Sequence, residues 1–82
     1  MPKVNQLSQE DLGRWRMVSA DKELVDNLFP GMSVEEGRRV ILTYYKTLGD
    51  LLATYELDGD ASGAVYLSPI DGGFYKMMVM DG

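Results

Sequence analysis

The sequence predicts an α+β fold, with two N-terminal helices over about 9–28 and 34–57 followed by a C-terminal β-hairpin of about 64–68 and 74–80. Three observations predict it. Serines at positions 8 and 33 each stand before acidic residues as helix caps do, and the second is followed by apolar residues at helical spacing. Asp71-Gly72, a tight-turn pair, sits between two runs of strand formers. Hydrophobic residues make up 45% and charged residues 26%, so the chain has enough apolar material to fold and gives no sign of disorder.

The first helix starts at Leu7-Ser8-Gln9-Glu10-Asp11-Leu12, where Ser8 caps free backbone N–H groups and Leu7 staples against Leu12. Glu10 and Asp11 suit the positive end of the helix dipole. A kink is expected near Ser19-Ala20-Asp21, which has the character of a second cap before Leu24, Val25, Leu28 and Phe29. Phe29-Pro30-Gly31 ends the helix, because the residue before proline is pushed out of the α region and glycine supplies the turn.

The second helix carries the strongest signal. Ser33-Val34-Glu35-Glu36 is a capping box. Val34, Val40, Ile41, Tyr44, Tyr45, Leu48, Leu51, Leu52 and Tyr55 then fall within a stripe about 140° wide at 100° per residue. Glu35, Glu36, Arg39, Thr43, Lys46, Thr47 and Asp50 form the other face. Val34, Ile41, Leu48 and Tyr55 recur every seven residues, the spacing of a seam between two copies. We expect the stripe to face its own chain, since Gly37 and Gly49 weaken a free-standing helix and the stripe is wider than a two-position seam.

In the hairpin both faces are apolar. With Asp71-Gly72 as a two-residue turn, one face shows Tyr66, Tyr75, Met77 and Val79, and the other shows Val65, Leu67, Phe74, Met78 and Met80, broken only by Lys76. Two helices cover one face. The second must be covered, or the edges extended, by the Val4 segment as a third strand, by another copy, or by a foreign partner. Self-association is the expectation, through a surface of Val65, Leu67, Phe74, Met78 and Met80, the methionines suiting an adaptable contact.

At 82 residues the chain is one domain, 1–82, burying only about 60 to 65% of its unfolded surface. Its net stability should be roughly 4 to 12 kcal/mol, so no element is dispensable. Cysteine and histidine are both absent, which removes disulfides, thiolate nucleophiles, imidazole bases and the usual transition-metal shells. We therefore expect no enzyme and no cofactor. The start Met-Pro-Lys-Val-Asn-Gln has no apolar run behind its lysine, and no stretch has the length and hydropathy of a membrane span. A cytoplasmic, non-membrane protein is expected.

Residues 1–46 hold seven basic and seven acidic side chains, whereas 47–82 hold Lys76 against six acids, so the net charge of −5 lies in the C-terminal part. Nucleic acid is not expected as a partner of such a chain. Candidate ligand-binding residues are Arg14, Trp15, Arg38 and Arg39, which an oligomer would have to gather into an anion pocket. Gly72, Gly73, Tyr75 and Lys76 join them, offering close backbone approach, an aromatic face and a cation. Asp58, Asp60, Ser62 and Gly63 resemble the first half of an EF-hand loop, which implies oxygen ligands from Asp58, Asp60 and Ser62 and a turn at Gly63. Pro69 stands where that family places its closing glutamate, and a strand follows instead of an exit helix. An ordinary solvated turn is therefore expected there.

The function expected from these readings is that of a small, self-associating regulator or inhibitor acting by stoichiometric protein binding. The alternative is an oligomer that sequesters an anionic metabolite or nucleotide, and the third reading is a weak calcium-binding module.

Overall fold

The computed structural model describes residues 3–27, 31–57 and 65–76. Along the chain run β1 (Lys3–Gln6), α1 (Gln9–Asp26), α2 (Val34–Thr54), β2 (Val65–Leu67) and β3 (Gly73–Lys76). The two helices and the C-terminal hairpin are the expected α+β elements. The strand β1 is an addition: it pairs antiparallel with β3 and completes a sheet of order β1-β3-β2. Val4 falls at a register shift in that pairing, between Lys3 opposite Tyr75 and Asn5 opposite Phe74. A third strand built from the chain itself thus occupies the edge for which a second copy was expected.

Each helix begins at its predicted cap serine, but among the described residues the Glu36 side chain does not return a bond to the Ser33 N–H, so the capping box at Ser33 is half formed. Ser8 Oγ accepts from the Asp11 N–H at 3.2 Å, and Ser33 Oγ accepts from the Glu36 N–H at 3.2 Å. The reciprocal half of the first cap is indirect. The Ser8 N–H donates to the Tyr55 hydroxyl at 2.9 Å, and that hydroxyl donates to Asp11 Oδ2 at 2.8 Å. Tyr55 comes from the far end of α2, so the start of one helix is tied to the end of the other. No break interrupts α1 near Ser19; it runs on to an Asn27 cap. The expected Phe29-Pro30 stop lies outside the described residues.

The second helix ends at Thr54, three residues before the expected Leu57. The Leu57 N–H donates to the Leu52 carbonyl at 2.7 Å and the Glu56 N–H to the Ala53 carbonyl at 3.1 Å. This is a Schellman closure, and it puts Glu56 at φ 60, a left-handed position that glycine usually takes.

The hairpin turn is wider than the sequence suggests. Val65, Tyr66 and Leu67 pair with Lys76, Tyr75 and Phe74, and the Ser68 N–H donates to the Gly73 carbonyl at 3.0 Å. Pro69-Ile70-Asp71-Gly72 therefore forms a four-residue loop, and Asp71-Gly72 is not a two-residue turn. The pairing slips by two positions, an even number, so each described side chain of the two strands keeps its predicted face.

Leu7, Trp15, Leu51, Leu67 and Phe74 form the buried core, with Leu12, Val18, Tyr44, Leu48, Leu52, Tyr55, Leu57 and Val65 packed around it. Trp15 joins the layers, stacking on Tyr44 at 4.9 Å between ring centroids while its indole N–H donates to the Leu67 carbonyl at 3.2 Å. Thr47, expected on the polar face of α2, is buried. It lies one turn from Thr43 and Asp50, and Asp50 is 3.9 Å from Arg14 of α1. α2 therefore turns toward α1 as well as toward the sheet, and Thr47 falls in the arc between them.

Candidate functional site

Among the described residues, two features stand out at the surface once the core is assembled. The first is the hairpin loop with the outer sheet face. Ser68 is buried, and its Oγ accepts from the Ile70 N–H at 3.1 Å. Asp71 Oδ1 accepts from the Gly73 N–H at 2.9 Å, and Asp71 Oδ2 accepts from the Tyr75 hydroxyl. The Tyr75 hydroxyl, followed by the Gly73 N–H, holds the Asp71 carboxyl down at about 2 and keeps it a carboxylate. The same bond raises the Tyr75 hydroxyl, which gives up its proton less readily while it donates to Asp71. From outside the loop, Gln6 Nε2 donates to the Asp71 carbonyl at 2.6 Å. Arg16 donates to the carbonyls of Pro69 at 3.1 Å and Ile70 at 2.5 Å. An open groove of about 340 Å³ lies alongside, lined by Tyr66, Ser68, Ile70, Asp71 and Tyr75.

The second feature is a flank of α2. Half of its wide apolar stripe, through Tyr44, Leu48, Leu51 and Tyr55, enters or adjoins the core. The other half faces water: Val34 is 78% exposed and Tyr45 57%, with Ile41 and Leu52 half-buried beside them, and Leu42, 68% exposed, borders the stripe on the same side. At 100° per residue these positions and Gly49 share the side of α2 turned away from Thr43, Thr47 and Asp50, hence away from α1. Gly49 has open space where a side chain would stand. The sequence showed the stripe but gave no signal that it divides, because that depends on how α2 seats against two neighbours.

The expected contact surface needs correction. Phe74 and Leu67 are buried in the core, and Val65 is packed against it, so the hairpin face they share is the one covered by the helices. The open face carries Tyr66 and Tyr75. Met78 and Met80 lie outside the described residues.

The candidate ligand-binding residues are not brought together. Trp15 is core, and its ring is occupied by Tyr44. Gly72 and Gly73 serve packing. Gly72 sits at φ +72, and a Cβ there would stand 2.9 Å from Leu12 Cδ1; one on Gly73 would stand 2.7 Å from the Tyr75 ring. Arg14 faces Asp50, about 16 Å along α2 from Arg39 at 1.5 Å per residue. Arg39 borders a shallow interhelical hollow of about 180 Å³ with Val18, Asp21, Val40 and Thr43, and Arg38 is exposed. Tyr75 is committed to Asp71, and Lys76 pairs across the ladder with Val65. Asp58, Asp60 and Ser62 lie outside the described residues. Among those described, no three acidic side chains gather to hold a metal ion, and no helix is long and apolar enough to cross a membrane.

Compared with known proteins, the chain matches no family model, no curated protein and no solved structure.

Proposed function

We propose that this chain is a small non-enzymatic binding protein that self-associates and acts by stoichiometric protein binding, as a regulator or inhibitor of another protein. One observation carries the reading. Val34, Leu42 and Tyr45 are each more than half exposed on a single flank of α2, next to half-buried Ile41 and Leu52. Scattered apolar residues are ordinary on a surface, but large apolar side chains exposed together along one flank of a helix favour an interaction site there. The outer sheet face, with its groove beside Tyr66, Ile70 and Tyr75, is left for the second protein. A chain without cysteine or histidine lacks the thiolate nucleophile and the imidazole base, which favours binding over catalysis. The absence of cysteine also suits a reducing compartment such as the cytoplasm.

Sedimentation and native mass spectrometry test this together. A species of at least twice the 9.2 kDa protomer mass at micromolar concentration is expected. A 9.2 kDa particle persisting as concentration rises would refute self-association, and unexplained extra mass on the protomer would point instead to a small ligand.

A further inference from the structure

The exposed strip on α2 has a polarity along its length that specifies how a second copy would lie on it. At its N-terminal part stands Arg38, exposed; just beyond its C-terminal end stands Glu56, also exposed. Among the described residues neither side chain makes an ion pair within the chain, whereas Arg14 and Lys22 do. Between them lie Leu42, Tyr45, Gly49 and Leu52. From Arg38 to the end of α2 at Thr54 is about 24 Å at 1.5 Å per residue, long enough for a seam of several turns.

We propose that two copies pair through this flank of α2, antiparallel, about a twofold axis crossing the strip at the level of residue 47. That arrangement sets Tyr45 over the partner's Gly49, Leu42 against the partner's Leu52, and Arg38 beside the partner's Glu56. All three pairs are centred on the same level, and each occurs twice because the contact is isologous. Gly49 is the hole. With no side chain and open space where one would stand, it lets the partner's Tyr45 ring approach the helix backbone. The charges select direction: a parallel pairing at the same level would place Arg38 against Arg38 and Glu56 against Glu56, while the antiparallel one makes two opposite-charge contacts.

Two further details fit. Gly49 lies within a helix at a surface position where another residue would propagate the helix better. Glu56 occupies a left-handed position that glycine fills with less strain. Both choices weaken the isolated chain locally, and both become useful when a second α2 lies alongside.

This inference rests on the self-association proposed above, and sedimentation equilibrium on charge-reversed variants separates the two. Arg38→Glu and Glu56→Arg should each raise the dimer dissociation constant by about tenfold, through two repulsive contacts per dimer. The double variant Arg38→Glu/Glu56→Arg, which restores opposite charges in exchanged positions, should recover most of that loss. Gly49→Gln should shift the chain toward monomer while leaving its circular dichroism melt at high dilution unchanged or raised, since glutamine is the better helix former. Single reversals that leave the dissociation constant unchanged, or a double variant no tighter than the singles, would overturn the seam while leaving self-association through another surface standing. A wild-type chain that stays monomeric throughout the micromolar range would overturn both.

Discussion

Removing the Tyr55 hydroxyl should loosen one tie between the two helices without emptying the core. Tyr55 touches three elements at once: its ring lies 5.1 Å from that of Phe74 in β3, and its hydroxyl bridges Ser8 and Asp11 at the start of α1. Tyr55→Phe keeps the ring and deletes two hydrogen bonds, one of them to a carboxylate. Net values of 0.5–1.5 kcal/mol per neutral bond, and more for one to a charge, would sum higher, but water can reach the exposed Ser8 N–H, so the loss should be about 1 to 2 kcal/mol. For a domain of this size that lowers the melting temperature by about 5 to 15 °C. Tyr55→Ala also removes the ring from its place against Phe74 and should cost about 3 kcal/mol or more. Thermal and urea unfolding followed by circular dichroism, at one fixed protein concentration, gives both values. Asp11→Asn, alone and combined with Tyr55→Phe, supplies a double-mutant cycle with an expected coupling of about 0.5 to 1 kcal/mol. A Tyr55→Phe melting curve superimposable on the wild type, with a coupling energy of zero, would mean that the bridge contributes nothing and that helix contacts alone set the interhelical geometry.

Two other substitutions bear on the hairpin loop. Gly72→Ala should destabilise by about 2 to 4 kcal/mol, because the alanine would be strained at a left-handed φ and its Cβ would press on Leu12; a melting temperature equal to wild type would show that the loop relaxes freely. For Asp71, the folded carboxyl is depressed to about 2 from its ordinary 3.8. The unfolded chain therefore binds the proton more readily, and the stabilising contribution is complete above about pH 4 and lost as pH falls toward 2. Urea midpoints across that range should fall less steeply in Asp71→Asn than in wild type, and parallel curves would refute the assignment.

The elements that the sequence made legible were those governed by local chemistry. Caps at Ser8 and Ser33 are decided within three or four residues, and both serine hydroxyls accept the backbone bond expected of them. Alternation in the hairpin also survived a wrong turn, because the slip from a two-residue to a four-residue loop preserved the parity of the faces. What failed depends on distant partners. Lys3–Gln6 has little strand propensity beyond Val4 and becomes a strand because β3 offers a free edge. The choice of which hairpin face is buried could not be made from two equally apolar patterns; it is made by Trp15, whose indole N–H reaches the Leu67 carbonyl and fixes the side of the sheet on which the helices rest. The glycines at 72 and 73 offered ligand approach in the sequence, and in the structure that space is filled by Leu12 and Tyr75.

Under the self-association proposed above, the division of the α2 stripe would link stability to function in one equilibrium. Among the described residues five hydrophobic side chains are buried, a small core for a chain whose stability is at best a modest multiple of a single core substitution. Leu42, Tyr45 and Val34 add little to the folding of a lone chain, since they are as exposed after folding as many surface residues. If a second copy covers them, the same side chains contribute burial free energy that exists only in the assembled state, and association then stabilises the fold by mass action. The half of the stripe made by Tyr44, Leu48, Leu51 and Tyr55 is already committed to the sheet and to α1. It follows that substitutions on the two halves should differ in kind: those on the inner half unfold the chain at any concentration, whereas those on the outer half change how strongly its stability depends on concentration.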